Sequence, residues 1–182
     1  RNWVYWLTNI EPEAIAASGY DLAVIDYAND GEDENAFTPK DLMTMQKKPD
    51  GSRRLVISYM SIGEAEEYRY YWKKEWKKNR PAWLDQENPQ WKGNYKVRYW
   101  DADWQRFILG TPESYLDKIL AAGFDGVYLD IIDAFEYYEK ARPAAAQDMI
   151  QFVARISEYA RKKRPGFLVF PQNGERLLAY PE

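Results

Sequence analysis

The chain has 182 residues, 46% of them hydrophobic, with 25 Lys and Arg against 29 Asp and Glu for a net charge of −4. That is enough chain for one domain with a core of its own, and the charge balance lacks the basic footprint of a general nucleic-acid binder. There is no Cys and no His, which excludes disulfides, thiolate nucleophiles, Ser-His-Asp triads and the commonest zinc ligands.

Short apolar runs alternate with helical signals along the chain. "WVYWL" (Trp3 to Leu7) is the first strand candidate, and Pro12 opens a short helix that Gly19 closes. "LAVIDY" follows from Leu22, then the acidic loop "NDGEDENAFTP" from Asn29, then "RLVISYMS" from Arg54. Tyr68, Trp72 and Trp76, at steps of four, predict one packed helix face. The longest irregular stretch starts at Arg80 and carries Trp83 and Trp91, the better candidates for a sugar platform. "YKVRYWD" from Tyr95 is the fourth strand candidate. Thr111 and Pro112 form an N-cap and first-turn pair for a helix that Gly123 ends. "GVYLD" starts at Gly126. From Pro143 to Lys163, Met149, Val153, Ile156 and Ala160 mark one face of an amphipathic helix, closed by basic residues that suit its negative end. "FLVFPQN" from Phe167 is the sixth strand. No apolar run approaches a membrane span, and no linker or repeat divides the chain, so residues 1–182 are expected to form a single domain.

Strands alternating with helices predict a parallel α/β sheet. Five of the six strand candidates deliver a carboxylate at or just beyond their C-terminal end: Asp26, Glu64, Asp101, Asp130 and Glu175. In parallel α/β folds that rim is where ligands bind. Each acid taken singly could be a helix cap, and for Asp101 and Glu64 capping and ligand roles are equally good. A rim of five reads as a site. Paired carboxylates suit glycoside hydrolysis, and clustered acids also suit hard-metal phosphoryl chemistry, with Asp130 and Asp133 as possible ligands. A purely binding barrel is the third option. There is no Walker-type or Rossmann glycine loop. Trp100 beside Asp101 and Tyr128 beside Asp130 favour sugar. Asp133 reads as a supporting hydrogen-bond partner or a first-turn helix acid.

"YMSIGEAEEYRYYW", "NPQWKGNYKVRYWD", "GFDGVYLDIIDAF" and "FPQNGE", in that order, resemble glycoside hydrolase family 114, the endo-α-1,4-polygalactosaminidases and related hydrolase domains. The likeness runs over essentially the whole chain. It implies a (β/α)8 TIM-barrel fold with about six of its β/α units in this chain, the last two lying beyond it. It also implies an endo-acting glycosidase for polymers containing galactosamine or N-acetylgalactosamine, needing no cofactor and no metal. The catalytic pair matches Asp130 and Glu175. Asp26 matches the acidic position closing strand two, and Tyr59, Ser61, Glu64, Asp101 and Asn173 fall on strand-end positions lining the family's cleft. The open barrel edge calls for a missing segment or a partner chain, and a polysaccharide substrate fits a secreted or periplasmic protein. The alternative is a non-catalytic glycan-binding barrel or an inactive barrel fragment. Because the rim is acidic, and "DGEDE" (Asp30 to Glu34) either adds four acids to it or forms a solvated turn pointing away, partly deacetylated, cationic oligomers are expected to bind more tightly than fully acetylated ones.

Overall fold

A computed structural model of the chain describes residues 2–180. Its main sheet has five parallel strands: β1 (Trp3–Trp6), β2 (Leu22–Ile25), β3 (Leu55–Ser61), β7 (Gly126–Asp130) and β8 (Leu168–Pro171), ordered β1-β2-β3-β7-β8. Helices make the crossovers: α1 (Pro12–Ala17), α2 (Pro39–Met45), α3 (Ala102–Ile108), α4 (Tyr115–Ala122), α5 (Phe135–Tyr138) and the long α6 (Ala145–Lys163). Strand order equal to chain order, with helical crossovers throughout, is the construction of a (β/α)8 barrel. Five of its eight strands are present among the described residues.

One of the six expected strands lies elsewhere. "YKVRYWD" contributes β6 (Asn94–Val97), which pairs antiparallel with β4 (Glu64–Glu66) and β5 (Leu84–Glu87) in a second, three-stranded sheet. The alternation around Tyr95 and Val97, buried, and Asn94 and Lys96, half-buried, is the period of any one-sided strand. It does not say which sheet the strand joins. This small sheet follows directly on the C-terminal end of β3. It sits on an aromatic cluster in which Trp83 meets Trp76 at 5.0 Å and Trp104 at 5.1 Å between ring centroids.

Two helical expectations also shift. Of the segment holding Tyr68, Trp72 and Trp76 only Lys74–Lys77 is helical, a single 3₁₀ turn; Tyr68 is exposed, and the two indoles pack edge to face rather than along an α-helix. Helix α4 begins at Tyr115 rather than beside Pro112, because the Ser114 hydroxyl is held outside it, donating to Arg106 O at 2.8 Å and accepting from Thr111 N at 3.1 Å. Helix α6 forms where its apolar period placed it, burying Met149, Phe152, Ile156 and Ala160.

Parallel register fixes which side chains share a face. Tyr5 lies opposite Val24, Val24 opposite Ile57, Tyr59 opposite Tyr128, Tyr128 opposite Phe170, and Ser61 opposite Asp130. Alternation puts these residues on the inner face, whereas Ala23, Ile25, Val56, Met60, Val127 and Leu129 form the fully buried outer face under the helices. The inner face carries a hollow of about 610 Å³ among Trp3, Leu22, Val24, Leu55, Tyr128 and Phe170. No helix among the described residues is long and apolar enough to cross a membrane.

Candidate active site

Asp130 ends β7 on the inner face, half-buried, with both carboxylate oxygens engaged. Tyr59 OH donates to Oδ2 at 2.7 Å and the backbone N–H of Ile131 donates to Oδ1 at 2.9 Å. No cation pairs with Asp130 among the described residues. Burial, together with the charges of Glu66 and Asp130, pushes the Tyr59 phenol far above its usual range, so it is a permanent donor. Tyr5 is likewise raised, chiefly by burial and then by Asp130, and meets Tyr128 edge to face at 5.8 Å.

The turn after Asp130 is strained. Ile131 has φ 59°, a left-handed conformation that a β-branched residue adopts only as an outlier, at a cost of about 1–3 kcal/mol. Gly63, between β3 and β4, lies so close that a Cβ there would collide with the Ile131 carbonyl oxygen and reach within 2.8 Å of Ala134 Cβ. The peptide on the other side is fixed by Ile62 N donating to Asp130 O at 3.2 Å.

Asp26 sits beside this group but is committed elsewhere. Arg69 donates to both its oxygens, at 2.8 and 2.7 Å, and to Glu66 Oε2 at 2.6 Å. Tyr68 OH adds a 2.8 Å bond to Glu66 Oε1. All three charges are buried. Burial raises Glu66 above the carboxylate range, against the opposing pull of Arg69. Asp26, expected at the substrate, is therefore an ion-pair partner at 3% exposure. Glu66 and Arg69 were not singled out from the sequence; the one signal was a Glu and an Arg three apart within an aromatic run, where charges can persist only in pairs.

The remaining strand-end candidates separate. Glu64 is buried, accepting from Asn88 Nδ2 at 2.8 Å with Lys96 Nζ at 3.7 Å. Ser61 is buried and donates to Glu64 O at 3.2 Å. Asp101 resolves as the N-cap of α3, accepting from Asp103 N at 2.8 Å, outside the five-stranded sheet. Trp100 packs edge-on against Tyr138 at 4.8 Å beneath the Arg142 guanidinium, so its face is occupied. Asp133 is half-buried, and burial with Asp130 and Glu136 nearby pushes its carboxyl up. Of the two platform tryptophans, Trp83 is 3% exposed and belongs to the core, whereas Trp91 is 67% exposed. Two acids of the "DGEDE" loop are engaged by the protein: Asp30 holds Asn35 and Glu32 N, and Asp33 pairs with Lys118 of α4 at 2.9 Å.

The segment after β8 carries Asn173 in a left-handed turn at φ 62° and then Glu175, exposed at the start of a 3₁₀ turn over Glu175–Ala179. Both line a hollow of about 700 Å³ against α6 with Ile132, Val153 and Leu177. No hydrogen bond or ion pair joins Glu175 to Asp130 among the described residues. Gln172, which continues the register past Leu129 and Pro171, is the strand-end neighbour of Asp130, and its Oε1 is buried without a partner. Alternation along β8 was the signal that would have selected Gln172 over Asn173. The described residues hold no cluster of three or more acids suited to a metal.

Comparisons with known proteins point one way. A family model described as glycoside-hydrolase family GH114 matches residues 1–181. An uncharacterized protein of Thermotoga maritima is 42% identical over 185 residues, covering all of this chain and 55% of that protein. Another, from Methanocaldococcus jannaschii, is 44% identical over 182 residues, covering 98% of this chain and 50% of that one. The chain thus spans about half the length of these relatives. Among solved structures, Aspergillus fumigatus Ega3 in complex with galactosamine superposes with a TM-score of 0.71 at 19% identity, covering 98% of this chain and 61% of that one. The glycoside hydrolase domain of PelA from Pseudomonas aeruginosa gives 0.71 at 19% identity, covering 98% and 62%. At that identity these two bear on the fold.

Proposed function

Since the chain belongs to glycoside-hydrolase family GH114, we propose that it forms the catalytic barrel of a glycosidase cleaving internal bonds of galactosamine- or N-acetylgalactosamine-containing polysaccharide, with Asp130 and Glu175 as its two carboxylates. One observation carries this reading. Asp130 stands at the C-terminal end of an inner-face strand, without a cation among the described residues, its oxygens held by Tyr59 and Ile131, in a fold whose chemistry occurs at that rim. Tyr59, Tyr128, Gln172 and Asp133 would face the sugar or support the carboxylate. Release of reducing ends from a galactosamine polymer tests the reading.

A second reading, a glycan-binding barrel without turnover, is favoured by the exposed position of Glu175 against α6. Binding with no release of reducing ends would select it.

Substrate charge gives an expectation of its own. Asp26 and Glu66 share one cation, Arg69, and Glu64 lies 3.7 Å from Lys96, whereas Asp130 and Asp133 have no ion-pair partner among the described residues and would attract a cationic polymer. Partly deacetylated oligomers should therefore bind more tightly than fully acetylated ones. The gap should close as the Debye length falls from about 10 Å at 0.1 M salt to about 3 Å at 1 M. Equal affinity at low ionic strength, measured by calorimetry, would end the electrostatic argument.

A further inference from the structure

We propose that Tyr59, Ile131 and Gly63 form a preset clamp that fixes the carboxylate of Asp130 in one orientation before substrate arrives. The inference rests on the glycosidase reading for its consequence in catalysis, but the clamp itself is a property of the fold.

Three observations combine. The two oxygens of Asp130 have different donors from different elements, Tyr59 OH from β3 and the Ile131 N–H from its own turn. Donors on both oxygens remove the near-free rotation of a carboxylate about its last torsion. The Ile131 N–H faces Oδ1 where the backbone at Ile131 is left-handed, φ 59°, and a strained turn persists only where its surroundings over-determine it. Gly63 supplies that surrounding: its missing side chain admits the Ile131 carbonyl and Cγ2, while Gly63 O accepts from Val97 N at 3.3 Å and ties the contact to the small sheet.

This gives the three-stranded sheet a purpose. It presses the β3–β4 corner against the turn that aims Asp130. Tyr59 and Ile131 are positioning residues, acting on Asp130 rather than on the sugar, and Gly63 makes room for the Ile131 turn. A group held in reacting geometry needs no reorganisation when the bond breaks. The titratable groups facing Asp130 are Tyr5 from β1, Tyr59 from β3 and Asp133 from the following turn, with Glu66 of β4 beyond Tyr59.

The test uses Tyr59→Phe, which removes one oxygen and keeps the buried ring. Two readouts are taken: kcat and KM on a galactosamine polymer, and the side-chain ¹³C titration of Asp130, assigned by its loss in Asp130→Asn. Losing a donor to the charged carboxylate should move that titration to higher pH. It should lower kcat by roughly 10- to 100-fold with KM little changed. An unshifted titration overturns the clamp whatever the activity, and a shifted titration with undiminished kcat overturns its role in positioning. A wild-type protein that binds polymer without turnover counts against the glycosidase reading, and the titration still decides the clamp. Gly63→Ala, if it folds, should shift the titration in the same direction.

Discussion

Asp130→Asn is expected to lose hydrolysis by about 10²- to 10⁴-fold, the range associated with removing a positioned acid or base, while the fold survives. Asn keeps the shape of the side chain and an oxygen that can accept from Tyr59 or the Ile131 N–H, the bonds that Asp130 makes at 2.7 and 2.9 Å. Glu175→Gln should cost a comparable factor. Its side chain is exposed and has no protein partner among the described residues, so its effect on stability should stay within about 0.5 kcal/mol. A large loss of activity with unchanged melting in both variants is the expected pattern, read by reducing-end assay and thermal unfolding. Full activity in either variant would remove that residue from the pair.

The largest effect on stability is expected from Arg69→Met. The guanidinium is fully buried and bridges Asp26 and Glu66. Without it two carboxylates face each other in a site shielded from water, a change that costs about 3–5 kcal/mol when one partner of a buried pair is removed. The loss should depend on pH. Burial already holds Glu66 above its ordinary value, so its folded form takes up a proton more readily than its unfolded form. Such a group favours folding below the unfolded pKa, about 4.3, and the contribution is lost as pH rises through the folded value. Removing Arg69 raises the folded value further. The deficit in the variant should therefore be smallest near pH 4 and grow toward neutrality, measured by urea unfolding across that range. A deficit independent of pH would mean that packing, not charge, is what Arg69 contributes.

What could be read before the structure was known follows physical lines. β7 was legible because its apolar run is bounded by Gly126 and stopped by Asp130, and α6 because Met149, Val153, Ile156 and Ala160 keep a helical period. Local signals of that kind survive folding. The placement of β6 was not legible, since alternation at Tyr95 and Val97 suits a parallel strand and an antiparallel one equally. Trp83 and Trp91 lie in the same irregular stretch, and only the tertiary aromatic cluster buries the first and leaves the second at the surface. The same limit applies to the acids. Asp26 looked like a ligand because its partner Arg69 is 43 residues away in the chain, and Asp101 looked like part of the rim until β6 left the main sheet. The family resemblance named Asp130 and Glu175, but the hydrogen bonds holding Asp130 come from Tyr59 and from a backbone conformation that no residue pattern announces.

The most direct test of the account is to incubate the wild-type chain and Asp130→Asn with the same galactosamine polymer and resolve the products by size. The expected result is a ladder of intermediate oligomers from the wild type, as cleavage at internal bonds requires, and intact polymer from the variant. An identical ladder from both proteins would contradict the assignment of chemistry to Asp130.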